Sequence, residues 1–175
     1  MPVQFTDNSA QLLAAVHAAC DRGLEEIGQA AEKYAVVLTP VDTGNLRNSI
    51  THAVHGNTVY LGSNLFYAVY IEFGTGKYAE NSDGTPSGKG RKGYWVFVKN
   101  GNKPSAKERK TYTYGQALAI YKYLTAPTDK GGLGLPESQV FITQGNKAEH
   151  MIRKAVADHA AEYRQIMIRA LSEMQ

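Results

Sequence analysis

The triplet Asp42-Thr43-Gly44 is the part of the sequence whose residue types come nearest to a catalytic motif. Aspartic proteases use this triplet at a turn where two carboxylates share one proton. Their turn lies between hydrophobic strands, whereas here Pro40 and a helical pattern precede the triplet, and the run Asn45-Leu46-Arg47-Asn48 follows it. We therefore interpret the triplet as scaffold. Asp42 is expected to cap the following turn through its side chain, and Gly44 to supply a permissive backbone.

The run from Gly88 to Gly93 resembles a phosphate-binding loop only superficially. A Walker motif needs four residues between its first glycine and Gly-Lys, and then a Ser or Thr hydroxyl that holds magnesium. Gly84 is one residue too close, and Gly90 carries no hydroxyl. We therefore expect neither a nucleotide nor another cofactor.

The histidines and the single cysteine do not predict a metal site or a nucleophile. His52 and His55 are three residues apart, which places them on opposite faces of a strand, with no cysteine or carboxylate cluster nearby in sequence. Cys20 lies in an apolar helical pattern and is interpreted as a small buried core residue. No Ser, Cys or Lys stands in a recognisable nucleophile context. We expect no catalytic residue, no metal and no enzyme activity.

The composition is that of an ordinary globular protein. The 175 residues are 43% hydrophobic and 20% charged, with a mean hydropathy of −0.36, so we expect one domain over residues 1–175. No window approaches the roughly 18 consecutive apolar residues of a membrane span, and the N-terminal residues do not resemble a secretion signal. A membrane partner is not expected.

Positive charge is concentrated in residues 77–110, which hold nine Lys or Arg and three acidic residues, a local net charge of +6 against +3 for the whole chain. Lysines can bind successive phosphates and aromatic rings can stack on bases, so this segment could form a nucleic-acid-binding surface. The same lysines would also suit a solvated loop or a contact with a neighbouring subunit. The residues of our interface hypothesis are Lys77, Tyr78, Lys89, Arg91 and Lys92.

Two long amphipathic helices are predicted, one near each end of the chain. The first runs from about residue 9 to 38 after an N-cap at Asp7, Asn8 or Ser9, and Pro40 ends it. At about 45 Å it is too long to be buried along its whole length, so it leaves an end or a face for a partner. The second helix is expected to begin after Asn146. The predicted apolar stripes are Leu13, Val16, Cys20, Leu24, Ile27, Ala31, Tyr34 and Leu38 in the first helix, and Ile152, Ala155, Val156, His159, Tyr163, Ile166 and Ala170 in the second.

Shorter elements are predicted between the two helices. A β-hairpin is predicted over residues 50–62, with its turn at His55-Gly56-Asn57. Residues 67–73 fit either a strand or a short helix ended by Gly74, and we prefer the helix. The remaining elements are a long mobile Gly/Lys-rich loop over residues 74–93, a strand at residues 93–99 that should be central to a sheet, a turn at residues 100–102, a helix from Thr113 to Ala126-Pro127, and a strand at residues 140–143. The fold class is therefore α+β, a small antiparallel sheet packed with two long helices plus short helices.

Three segments, read in order, resemble one protein family. They are Thr39-Pro40-Val41-Asp42-Thr43-Gly44-Asn45-Leu46-Arg47-Asn48-Ser49-Ile50, then Tyr67-Ala68-Val69-Tyr70-Ile71-Glu72-Phe73-Gly74-Thr75-Gly76, then Gly145-Asn146-Lys147 leading into a helix. The chain is similar to the minor tail-component family of siphophages and prophages, whose members are neck or tail-completion proteins. The first two motifs are specific because they occur together, in this order, around a hairpin. The family usually begins its final helix with a proline-aromatic pair, which Lys147-Ala148-Glu149-His150-Met151 replaces here.

The resemblance implies a structural virion protein at the head-to-tail joint. The expected assembly is a homo-oligomeric ring, a hexamer in preference to a dodecamer, between a connector or neck protein and the tail terminator or tail tube. DNA would pass through the lumen without sequence-specific binding. The expected location is the virion neck or tail, and the host cytoplasm during assembly. The alternative function is a nucleic-acid-binding accessory assembly protein.

The two specific motifs also supply scaffold residues, which are Asp42, Thr43, Gly44, Leu46, Arg47, Glu72, Phe73 and Gly74. Leu46 and Ile50 lie one helical turn apart and can be buried together. Arg47 and Glu72 carry opposite charges, and an ion pair between them is our hypothesis for how the motifs are joined.

Overall fold

The computed structural model describes residues 7–88, 90, 93–98 and 111–174. Within these residues the chain has the predicted α+β class, with six α-helices and two separate two-stranded antiparallel sheets. The helices are α1 (Ser9–Leu38), α2 (Asn45–Ser49), α3 (Ala68–Glu72), α4 (Tyr114–Thr125), α5 (Met151–Ala157) and α6 (Ala160–Ser172), and the strands are β1 (Ile50–His55), β2 (Thr58–Ser63), β3 (Trp95–Val98) and β4 (Val140–Thr143). None of these helices is long and apolar enough to cross a membrane.

The chain divides into two compact units. The first unit comprises the residues up to Ala68 together with those from His150, and the second unit comprises Val69–Glu149. The expectation of one domain over residues 1–175 stays a prediction.

Helix α1 has the predicted bounds. It ends at Leu38 because Thr39, which precedes Pro40, adopts extended backbone angles of φ −75° and ψ 124°. The Thr39 hydroxyl donates to the Ala35 carbonyl at 2.6 Å and so satisfies one of the last carbonyls of the helix. The N-cap is Asn8, one of the three residues that the sequence allows.

The buried face of α1 agrees with the predicted stripe in part, since Ala31 is buried and the half-buried stripe residues are Val16, Cys20, Leu24, Ile27 and Tyr34. Its buried positions are all small: Ala19, Gly23, Gly28, Ala31 and Ala35. A Cβ atom on Gly23 would lie 3.0 Å from the Met167 Sδ and 3.1 Å from the Ala170 Cβ, so α6 approaches too closely for larger side chains. Leu13 is 56% exposed, and Cys20 is half-buried instead of buried.

Strands β1 and β2 form the predicted antiparallel hairpin, with Ile50 opposite Ser63 and His55 opposite Thr58. The two-residue turn begins at Gly56, whose φ of +56° is typical of such turns. Burial alternates along β1, and α1 packs against both strands. The hairpin therefore has one face toward α1.

The C-terminal helix is interrupted, contrary to the prediction, since α5 ends at Ala157 and α6 begins at Ala160. In a continuous helix the Ala155 carbonyl would accept the His159 N–H. Here the Tyr163 hydroxyl donates to that carbonyl at 2.6 Å, and the Tyr163 N–H donates to the His159 carbonyl at 3.1 Å. We attribute the break to this side-chain hydrogen bond, which competes with the backbone for its acceptor.

The N-cap of α5 is His150, so the prediction of Asn146 was wrong. The backbone of Asn146 is already engaged, because its carbonyl accepts the Thr75 N–H at 2.9 Å and its N–H donates to the Thr75 hydroxyl at 2.9 Å. The helix starts where the His150 carbonyl accepts the Lys154 N–H at 2.9 Å.

In the second unit β3 pairs with β4, and the stacked rings of Phe97 and Phe141 are 5.2 Å apart. Within the described residues this sheet has two strands, and Tyr94, the residue before β3, forms an isolated antiparallel bridge with Tyr112. The expectation that this strand is central to a sheet stays a prediction. The turn predicted at residues 100–102 lies outside the described residues. Helix α4 packs against the sheet and begins at the predicted N-cap, Thr113, which forms a reciprocal capping box with Gln116.

Candidate functional site

The turn that contains Asp42 and Gly44 lies directly before α2. Gly44 is the N-cap residue with φ +83°, and its carbonyl accepts the Asn48 N–H at 2.9 Å. No side chain caps α2, so the predicted capping role of Asp42 was wrong. Asp42 and Thr43 are both exposed. The left-handed glycine, and not the carboxylate, shapes this turn.

The motif residues after the turn anchor it to the first unit. Leu46 and Ile50 are each buried, and their packing against one another stays a prediction. The Arg47 guanidinium donates to the Thr39 carbonyl at 3.1 Å and ties the turn to the end of α1. Glu72 is a buried carboxyl of the second unit, and its ion pair with Arg47 stays a hypothesis.

The segment that follows α3 is a loop as predicted, but its backbone is tied to the chain before α5. The Lys77 N–H donates to the Gln144 carbonyl at 3.0 Å, and Thr75 and Asn146 are joined as described above. Farther along, the Glu80 N–H donates to the Phe73 carbonyl at 2.8 Å. A 3₁₀ turn at Gly76–Tyr78 therefore holds Lys77 and Tyr78 at a defined position in the second unit.

A groove of about 350 Å³ opens beside this turn, lined by Lys77, Tyr78, Ala79, Glu80, Pro86, Lys147 and Ala148. The Lys77 Nζ donates to the Gln144 Oε1 at 3.1 Å and lies 5.2 Å from the centre of the Tyr78 ring. The groove is thus lined by two lysines, an aromatic ring and the Glu80 carboxyl, and its cationic and aromatic groups suit the acidic or aromatic side chains of a protein partner. Lys89, Arg91 and Lys92, the other residues of the interface hypothesis, lie outside the described residues.

Helix α1 exposes apolar side chains near both of its ends. Leu12 and Leu13 are 62% and 56% exposed in the first turns, and Val37 is 68% exposed in the last turn. The first buried residue of α1 is Ala19, and among the ten helix residues before it only Ala15 and Val16 are half-buried. This agrees with the prediction that so long a helix leaves an end uncovered.

A polar cluster on the hairpin was not predicted from the sequence. Glu25 and Glu32 of α1 both reach His52 in the folded chain, although they lie 27 and 20 residues away from it in the sequence. The signal was present, because Glu25 and Glu32 are seven residues apart and share a helix face, but nothing local ties that face to β1. Among the residues that the structure describes, no group of His, Cys, Asp or Glu could hold a metal ion.

The described residues form an α+β chain whose distinctive features are turns, exposed helix ends and a small groove. Residues 4–74 match the model of a protein family described as "Bacteriophage HK97-gp10, putative tail-component". The match runs through α1, α2, the hairpin and α3 to Gly74, and it confirms over these residues the resemblance to a phage tail-component family. No curated protein and no solved structure matches the chain.

Proposed function

We propose that this chain is a ring-forming tail-completion or neck subunit, a structural protein that joins the head connector to the tail of a bacteriophage. The family match carries the proposal, because it contains the Asp42-Thr43-Gly44 turn and most of the second motif in the predicted order. The location that follows is the virion neck or tail, with assembly in the host cytoplasm.

The exposed ends of α1 support a ring. A ring is built from a heterologous interface, in which one surface of a subunit meets a different surface of its neighbour. Leu12 and Leu13 at one end and Val37 at the other end are separated along the roughly 45 Å of helix α1, so they offer two distinct apolar contacts. A hexamer is our preferred ring, and a dodecamer is the alternative.

The turn at Lys77 and Tyr78 supports a second contact. Its groove presents ammonium groups and an aromatic ring on a backbone that is fixed by hydrogen bonds, which lowers the entropic cost of binding. The basic residues Lys89, Arg91 and Lys92 follow it in sequence. The loop of residues 74–93 and its basic flank are here called the basic arm. We propose that this arm contacts a neighbouring subunit or faces the lumen, where DNA passes without sequence-specific binding. The connector or neck protein and the tail terminator or tail tube are the other partners.

Cryo-electron microscopy of the parent virion tests the proposal. The expected result is a ring of this chain between the connector and the tail tube, which would give its symmetry directly. Absence of the chain from the mature neck would overturn the proposal. A steep salt dependence of duplex DNA binding by the purified protein would then favour a nucleic-acid-binding accessory assembly protein.

A further inference from the structure

His52 lies between two carboxylates of helix α1. Its Nδ1 is 2.6 Å from the Glu32 Oε2, and its Nε2 is 3.2 Å from the Glu25 Oε1. The backbone N–H of His52 also donates to the Glu32 Oε2 at 3.0 Å. The imidazole is 14% exposed, so water can replace these partners only in part. The hairpin and the helix are thus joined by three hydrogen bonds at one residue.

These contacts define the protonation state of the ring. An ionised carboxylate only accepts hydrogen bonds, and a neutral imidazole has a single N–H to donate. Because each ring nitrogen faces a different carboxylate, both contacts are made only when His52 is the doubly protonated imidazolium. The two nitrogens point away from each other, so a single metal ion could not take the place of the protons.

Helix α1 is shaped to receive the ring. Glu25, Gly28 and Glu32 share a face because they are spaced three and four residues apart. A Cβ on Gly28 would overlap the His52 ring and lie 2.9 Å from its Nε2. A glycine at this one position therefore lets the ring reach both carboxylates.

We propose that protonated His52, held by Glu25 and Glu32, fastens the β1–β2 hairpin to α1, and that loss of this proton loosens the hairpin. This is a property of the chain itself and goes beyond the proposed ring. The charged groups that face His52 are the two carboxylates of α1. On β2 the residue opposite is Leu61, which carries no charge, and His55 and Tyr60 lie on the exposed side of the hairpin.

The direction of the pH effect follows from the same contacts. The hydrogen bond to Glu32 raises the pKa of His52 above its usual 6.5. The contribution of protonated His52 to the free energy of unfolding is therefore fully present below pH 6.5, and it is lost as the pH rises through the raised pKa. The hydrogen bond from His52 lowers the pKa of Glu25 below its usual 4.5. The contribution of ionised Glu25 to the free energy of unfolding is therefore fully present above pH 4.5, and it is lost as the pH falls through the lowered pKa. Between these usual values, 4.5 and 6.5, both contributions are complete.

The first test is an NMR titration of the His52 ring protons in the unmodified full-length protein. The expected result is a midpoint above 6.5. A midpoint at or below 6.5 would overturn the proposal. This measurement needs no variant, so it holds even where a substitution at His52 prevents folding.

The second test compares hydrogen exchange of the β1–β2 amides, corrected for intrinsic rates, in wild type and in His52→Gln. At about pH 5.5 the substitution should reduce protection by about ten-fold or more, and at about pH 9 by much less. Glu25→Gln should show the same pH dependence, because it changes a ring contact of His52 and leaves the backbone hydrogen bond to Glu32 in place. His55→Gln is the matched control, because His55 is exposed on the same strand. An equal loss of protection at both pH values would show a merely structural role and overturn the proposal.

Discussion

At the scale of single residues, the anchored turn of the second unit depends on a glycine that no other residue can replace. Gly76 has φ +62°, and a Cβ there would collide with the Gln144 carbonyl oxygen and lie 2.7 Å from the Trp95 ring. Gly131 has φ +78° but open space around it. Gly131→Ala should cost about 1 kcal/mol of unfolding free energy, from left-handed strain alone, whereas Gly76→Ala should cost about 3 kcal/mol or more. Urea unfolding of both variants checks this difference, and equal costs would contradict it.

A second residue-scale prediction concerns the contact between α1 and the start of α6. The Tyr34 hydroxyl donates to the Glu162 Oε2 at 2.7 Å, which raises the pKa of Tyr34, and its ring stacks on His159 with 3.4 Å between centroids. Tyr34→Phe keeps the stack and loses the hydrogen bond, so it should cost about 1 kcal/mol. Tyr34→Ala loses both and should cost distinctly more. Thermal unfolding of the two variants separates these contributions, and a Phe variant as unstable as the Ala variant would argue that the stack contributes nothing.

At the scale of elements, α4 is the helix whose start is best determined by its own sequence. Thr113 accepts the Gln116 N–H at 3.4 Å and Gln116 accepts the Thr113 N–H at 3.0 Å, so two otherwise unpaired donors are satisfied. Thr113→Ala should lower the unfolding free energy by about 1 kcal/mol. Asn8→Ala is the control, because the N-cap of α1 makes no side-chain cap bond, and it should cost only a few tenths of a kcal/mol. Denaturant unfolding measures both, and a larger effect at Asn8 would contradict the assignment.

The elements that the sequence predicted well are those whose determinants are local. Pro40 ends α1, Gly56-Asn57 turns the hairpin, and Thr113 caps α4, each through residues within a few positions. The break between α5 and α6 was not predicted, because it depends on a single hydroxyl, that of Tyr163, choosing a backbone acceptor. A hydrophobic stripe alone carries no information about such a bond.

The candidate sites were predictable only in part, because they too depend on contacts between residues that are distant in the sequence. The charge pattern pointed to Lys77 and Tyr78, but it gave no sign that Gln144, 67 residues away, holds this turn in place. Backbone groups make that connection, and every sequence carries them. Likewise four of the small buried residues of α1, Ala19, Gly23, Gly28 and Ala35, were not predicted, because a hydrophobicity pattern ranks Leu13 above Ala19, whereas close helix packing favours the smaller side chain.

At the scale of the whole molecule, the match to the tail-component family and the basic arm occupy different parts of the chain. The family match ends at Gly74, and the arm follows it. Deleting the arm would also remove hydrogen bonds that Glu80 and Ser87 make to Phe73 and Ala79. Reversing charges in the arm therefore tests its role with less damage to the fold than a deletion would.

The triple variant Lys89→Glu, Arg91→Glu, Lys92→Glu should fold with an unchanged melting temperature but block the joining of heads to tails, leaving filled heads and free tails in the lysate. The reversed charges would repel either a neighbouring subunit or DNA. Ring formation by the purified variant distinguishes these two possibilities. Loss of the ring would indicate that the arm contacts a neighbouring subunit, and an intact ring would indicate that the arm faces the lumen. The control is Lys122→Glu, Lys130→Glu, Lys154→Glu, which makes the same change in net charge at exposed residues outside the arm. Normal virions from the arm variant, or an equal block from the control, would show that the position of these charges does not matter and that the arm has no part in joining.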